Sequence, residues 1–156
     1  MKTNFRAGLL ILIFAVLCEG CFLIPPARSA YRPIHQYAEA GDAAQVAADL
    51  ATNSSDLNLP DDAGLTPLHL AAAHCHTNVI ALLLKKGASV NKKGRGGATP
   101  LHLAAQEGCV DAVTLLLAGR AKINARDDAG RTPLKRAEEW HQDAVVQLLR
   151  QHGGAE

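Results

Sequence analysis

Aromatic side chains are scarce in this chain: three Phe, two Tyr and one Trp make up 4% of 156 residues. A β-sandwich draws more heavily on aromatic and β-branched residues, so the composition speaks against that class. An excess of charge of one sign is also missing. The 16 basic and 15 acidic residues leave a formal net charge of +1. Three of those bases and one of those acids fall in the first 30 residues, and the remainder carries a net −1. A near-neutral domain lacks the positive charge density that phosphate-backbone binding needs, so no nucleic-acid partner is expected. Serines are few, and none stands in a nucleophile elbow. The glycines of Gly94-Arg95-Gly96-Gly97 follow no strand pattern and precede no phosphate-loop lysine. Hydrolase and transferase chemistry therefore has no visible carrier. Neither catalytic residues nor cofactors are expected.

Ala and Leu dominate instead, within a hydrophobic fraction of 48%. That composition suits close-packed helices, and the length suits one domain. The first 30 residues differ in kind. Lys2 and Arg6 precede the apolar run Ala7 to Leu17, and small residues follow at Ala27, Ser29 and Ala30. This order describes a secretory signal peptide over residues 1–30. Two further readings rank behind it. The apolar stretch 7–24 is about long enough to cross a bilayer as an anchor, although Glu19 counts against that. The other is a lipoprotein site at Cys18 or Cys21: Gly20 before Cys21 fits, although Cys18 and Glu19 do not, and Ala15-Val16-Leu17 before Cys18 fits poorly. Each reading places the folded part outside the cytoplasm, periplasmic or secreted. Membrane contact would come only through the N-terminal segment.

Beyond residue 30 the chain repeats itself. Thr66 to Ala72 reads TPLHLAA, and Thr99 to Ala105 reads the same 33 residues later. A worn copy, TPLKRA, stands at Thr132 to Ala137, and Arg32-Pro33-Ile34-His35 is fainter still. Asn58, Asn91 and Asn124 keep the same step of 33. A fixed period of this size marks stacked structural units, here at about 31–60, 61–93, 94–126 and 127–156. Thr66 and Thr99 suit helix N-caps, with Pro67 and Pro100 at the first helical position. Leu68, Ala71 and Ala72 then face the core of a short helix. Val79, Ile80, Leu82, Leu83 and Leu84 supply a second helix, which Gly87 ends. The stretch from Ala88 to Ala98 is a loop or extended hairpin.

These motifs resemble the ankyrin repeat, whose pattern runs D-x-x-G-x-T-P-L-H-x-A-A-x-x-G-H, then V-x-x-L-L, then G-A-x-x-N. The resemblance covers roughly Tyr31 to the C-terminus. It departs from the pattern at Cys75 (the turn glycine), Arg120 (the helix-end glycine) and Gly94 (the opening aspartate). It implies an all-α solenoid of stacked helix-turn-helix units with hairpin loops. The more polar first and last units, the last with Lys135-Arg136 in place of His-Leu, suit the two water-facing ends of a stack. It also implies that His35, His69 and His102 are structural, tying neighbouring loops together.

Ankyrin proteins grip protein partners on a concave side made of hairpin tips and first helices. Carried over position by position, that surface comprises Asp62, Ala63, Leu65, Ala73 and His74 in the second unit. In the third it comprises Arg95, Gly96, Ala98, Gln106 and Glu107. In the fourth it comprises Asp128, Ala129, Arg131, Glu139 and Trp140. The resemblance implies a non-enzymatic, monomeric module for a protein partner. An accessory or inhibitory subunit of a secreted or envelope enzyme is the alternative. Metal or redox handling through His74, Cys75, His76 and Cys109 ranks third. Stacked helices lie ~8–10 Å apart, while a disulfide needs Cα atoms within about 7 Å. Cys75 and Cys109 are therefore expected as free thiols. The paired carboxylates Asp61-Asp62 and Asp127-Asp128 recur at the loop position and are expected to be solvated.

Overall fold

Thr66, Thr99 and Thr132 each hold extended backbone just before a helix, with proline as its first residue. That local grammar generates the architecture. The structure, a computed structural model, describes residues 32–155. The expected signal peptide or anchor at residues 1–30 lies outside the described residues.

Among the described residues eight α-helices form four pairs: α1 (Pro33–Ala40) with α2 (Ala43–Thr52), α3 (Pro67–Ala73) with α4 (Thr77–Lys85), α5 (Pro100–Gln106) with α6 (Val110–Ala118), and α7 (Pro133–Glu139) with α8 (Asp143–Gln151). Short 3-10 turns occur at Ser54–Asn58 and Arg95–Gly97, and no strand occurs among the described residues. The first helices stack as α1, α3, α5 and α7, and the second helices as α2, α4, α6 and α8. The fold is thus the expected all-α solenoid of two helical layers. The loops between pairs are closed turns rather than paired strands.

The core lies between the layers. Leu68, Ala71, Ala72, Val79, Ile80 and Leu83 are buried, as are their counterparts Leu101, Ala104, Ala105, Ala112, Val113 and Leu116. Fully burying one such Leu, Val or Ile is worth about 1.5–3 kcal/mol. The alanines bring the helices close enough for the larger side chains to interlock.

Two polar ladders fix the spacing of the stack. His69 is fully buried. The Thr66 backbone N–H donates to its Nδ1 at 3.1 Å, which leaves the ring proton on Nε2. Nε2 then donates to the Ala98 carbonyl of the next unit at 3.2 Å. His102 repeats this, accepting from Thr99 and donating to the Arg131 carbonyl at 3.1 Å. His35 does the same between Arg32 and Leu59. His35, His69 and His102 are thus structural, as the resemblance implies.

The asparagines form the second ladder. The Oδ1 atoms of Asn58, Asn91 and Asn124 accept from the backbone N–H groups of Ser89, Lys122 and Ala155. Asn91 also donates to the carbonyl of Arg120, which holds a positive φ of 66° in place of the usual glycine.

Three expectations need correction. Asp127 is not solvated; it is only 5% exposed. Its Oδ2 accepts from Nε of Arg136 at 3.0 Å, from Nη2 of Arg136 at 2.8 Å and from Nε of Arg131 at 3.0 Å. Arg136 accordingly does not face open water at the end of the stack. It is 8% exposed, because α7 turns it back onto its own loop. Thirdly, Cys75 and Cys109 are joined in a disulfide, with Cα atoms 5.4 Å apart. The helix-axis spacing does not apply to them, since both stand on the turns, where successive units approach more closely than helix bodies do.

Candidate functional site

Hydrogen bonds close the loop tips of the second and fourth units. In the second unit the Asp61 N–H donates to the Leu65 carbonyl at 2.8 Å. Asp61 Oδ1 in turn accepts from the N–H groups of Ala63 and Leu65 at 2.9 and 2.8 Å. Asp127 closes the fourth-unit tip in the same way through Ala129 and Arg131. In the third unit Gly94 stands where the aspartate would. A β-carbon there would come within 2.8 Å of Leu65 Cδ2 and 3.2 Å of the Gly64 carbonyl oxygen. An aspartate at this position would need the Leu65 side chain and the Gly64 backbone to give way. The Asp128 N–H donates to the Gly96 carbonyl at 3.0 Å and ties the last two tips together.

The residues carried over from the family pattern differ in exposure. Asp62, His74, Arg95, Gly96, Glu107, Asp128, Ala129, Glu139 and Trp140 are exposed. Ala63, Leu65, Ala73, Gln106 and Arg131 are half-buried. Ala98 does not belong to the surface: it is 2% exposed, and its carbonyl is taken by His69. All these residues belong to the layer of first helices, on the tips that lead into it or at its C-terminal ends. Among them Arg131 pairs with Glu139 at 3.4 Å. Gln106 accepts from Arg136 at 3.2 Å and donates to Glu107 at 3.1 Å. That network spans the last two first-helices and positions the backbone beside Trp140. Sequence reasoning missed it because the Arg136–Asp127 contact joins residues nine apart across a loop.

Trp140 caps α7 and is 56% exposed, the most open large hydrophobic residue among the described residues. His74 caps α3 and faces Glu39 at 3.8 Å, with both side chains about half open. Among the described residues no cluster of three or more His, Cys, Asp or Glu could hold a metal ion. The disulfide also removes Cys75 and Cys109 from any ligand set as free thiolates. A shallow groove of about 150 Å³ beside Leu50, Ser54, Leu57 and Lys86 lies at the other end of the stack.

Three titrations follow from the burial pattern. Burial holds the His69 and His102 imidazoles below their ordinary 6.5. Burial alone would raise Asp127, but hydrogen bonds from Arg136 and Arg131 more than offset it and bring its carboxyl down from 3.8 to about 2. Both kinds of shift have the same sign for stability at low pH. The unfolded histidines gain protons below 6.5 while the folded ones do not, so stability starts to fall there. The Asp127 contribution is intact above about pH 5 and is lost as pH falls toward 2; it amounts to ~2 kcal/mol. Urea midpoints measured from pH 8 to pH 2 should therefore decline in two stages. Asp127→Asn should remove the lower stage and leave the upper one.

The stacked pairs, the histidine ladder and the tip geometry together define a class of fold. A family profile for ankyrin repeats (3 copies) matches residues 34–127 and again 92–156. The chain belongs to the ankyrin repeat family, whose members are generally protein–protein interaction modules. A search of curated proteins finds no match to the chain.

Proposed function

We propose that this chain is a non-enzymatic binding module that presents its first-helix layer and loop tips to a protein partner outside the cytoplasm. One observation carries the reading: Trp140 stands 56% exposed on backbone held by the Arg131–Glu139 and Arg136–Asp127 pairs. Tryptophan and arginine are the side chains that most often anchor interfaces. A surface already fixed by hydrogen bonds loses little conformational entropy on binding. The disulfide supports an oxidising compartment, where such bonds persist. The apolar run with its basic start supports export as well.

A photo-crosslinker at Arg95 or Trp140, with Lys85 on the second-helix layer as control, tests this reading in the compartment. Capture of one protein from the first two positions and not from Lys85 is the expected result. With that partner purified, Trp140→Ala should weaken binding by about 30-fold, as a central anchor does. Equal capture from both faces would remove the proposal.

A further inference from the structure

The turns between first and second helices place Gly41, Cys75, Gly108 and His141 at positive φ, between 55° and 77°. The next residues, Asp42, His76, Cys109 and Gln142, precede the second helices as their N-caps. Along the stack the turn residues of the first three units meet the N-cap side chain of the following unit. Gly41 lies under the His76 ring, so closely that a β-carbon would come within 2.6 Å of it. Gly108 lies against the Gln142 side chain in the same way. Only at the middle junction are both partners replaced, and both by cysteine. The outer junctions close without a covalent bond, so the fold itself does not demand one between them.

We infer that Cys75–Cys109 is a thiol–disulfide exchange site that a dithiol opens in the folded protein, loosening the junction between the second and third units. Access sets the order of attack. Cys75 is exposed and Cys109 is 7% exposed, so an incoming thiolate reaches the Cys75 sulfur. The S–S bond breaks, and its electron pair leaves on Cys109, which then takes a proton from water. The second thiol of the dithiol attacks the mixed disulfide, freeing Cys75 as a thiol and leaving the dithiol oxidised. Two electrons and two protons pass from dithiol to protein. Cys109 departs at the N-terminus of the nine-residue α6, where backbone N–H groups favour a thiolate.

Little replaces the bond once it opens. At the junction before it, His76 Nε2 donates to the Glu39 carbonyl at 2.8 Å. A freed Cys109 thiol would have the Ala72 carbonyl, 3.9 Å from its Sγ, as its weak acceptor among the described residues. Cys75 also carries a side chain at φ 59°, a left-handed backbone that favours glycine. The reduced turn thus gains from relaxing, while α3 and α5 stay packed. Neither step needs a partner on the first-helix layer.

The test uses the folded chain, without denaturant, in buffers of reduced and oxidised dithiothreitol. Alkylation and mass measurement report the bond; hydrogen exchange reports the turns. The bond should open reversibly, and exchange at residues 73–78 and 107–111 should speed up at least ~10-fold. Residues 39–43 and 140–143 should not respond. The double variant Cys75→Gly, Cys109→His, which restores the glycine-and-histidine contact, should ignore dithiothreitol. A dithiol oxidoreductase lacking its second cysteine should be trapped on Cys75. A bond that opens only after unfolding in urea, or turns that exchange equally in both states, would overturn the inference; trapping on Cys109 would overturn the order of attack.

Discussion

Asp127→Ala should lower the unfolding free energy by about 3–5 kcal/mol, more than other polar substitutions in this chain. The wild-type carboxylate serves five donors: two backbone N–H groups on Oδ1 and three arginine contacts on Oδ2. Alanine leaves the Arg136 guanidinium buried without its counter-ion. It also opens the tip, because Ala129 and Arg131 lose the acceptor that holds their N–H groups. At roughly 4 °C per kcal/mol for a domain of this size, Tm should fall by about 12–20 °C. Asp61→Ala supplies the comparison. It removes the same two tip hydrogen bonds with no buried arginine behind them, and should cost about 1–2 kcal/mol. Urea melts of both variants decide the matter. Equal losses would mean that the arginine contacts contribute nothing.

The second large effect is expected at His69. His69→Ala strands the Thr66 N–H and the Ala98 carbonyl in a buried site, each at roughly 1–3 kcal/mol. A total of about 3–4 kcal/mol is expected once the partial collapse of the ring cavity is included. Lys135 occupies the same place on α7, yet Lys135→Ala should stay within about 0.5 kcal/mol. No described helix pair follows α8, so nothing waits for a bridge from that position. Lys135 only pairs with Glu138 at 3.8 Å, and the Thr132 hydroxyl donates to Ala155 instead. If Lys135→Ala cost as much as His69→Ala, the bridge to the next unit would not be what the histidine supplies.

The helix starts were legible because they are local. A Thr-Pro pair fixes a cap and a first turn whatever surrounds it, so α3, α5 and α7 could be placed from single letters. The step of 33 between Asn58, Asn91 and Asn124 marked the repeat, and the structure adds that these side chains bridge it. Non-local contacts were harder to read. The distance between helix bodies is no guide to Cys75 and Cys109, because the two residues stand on turns whose Cα atoms approach to 5.4 Å. Arg136 read as a polar residue at the end of a stack, because its partner lies on a loop that folds back. Ala98 looked like any other tip residue, and only the incoming His69 bond reveals that it is enclosed. The exposure of Asp62, Arg95, Gly96, Asp128 and Ala129 was easier to read, since exposure at a tip follows from the register of the repeat.

The ladders also bear on how the chain reaches this structure. The side-chain ties between units join residues from 24 to 37 positions apart, and the disulfide spans 34. None of these ties joins the two ends of the chain. Relative contact order is therefore low for the length, which places such a chain among the faster folders. Closing one loop of this size lets any two neighbouring units form a nucleus. Each further unit then docks on a finished face, so lengthening the stack adds stability without raising the first barrier.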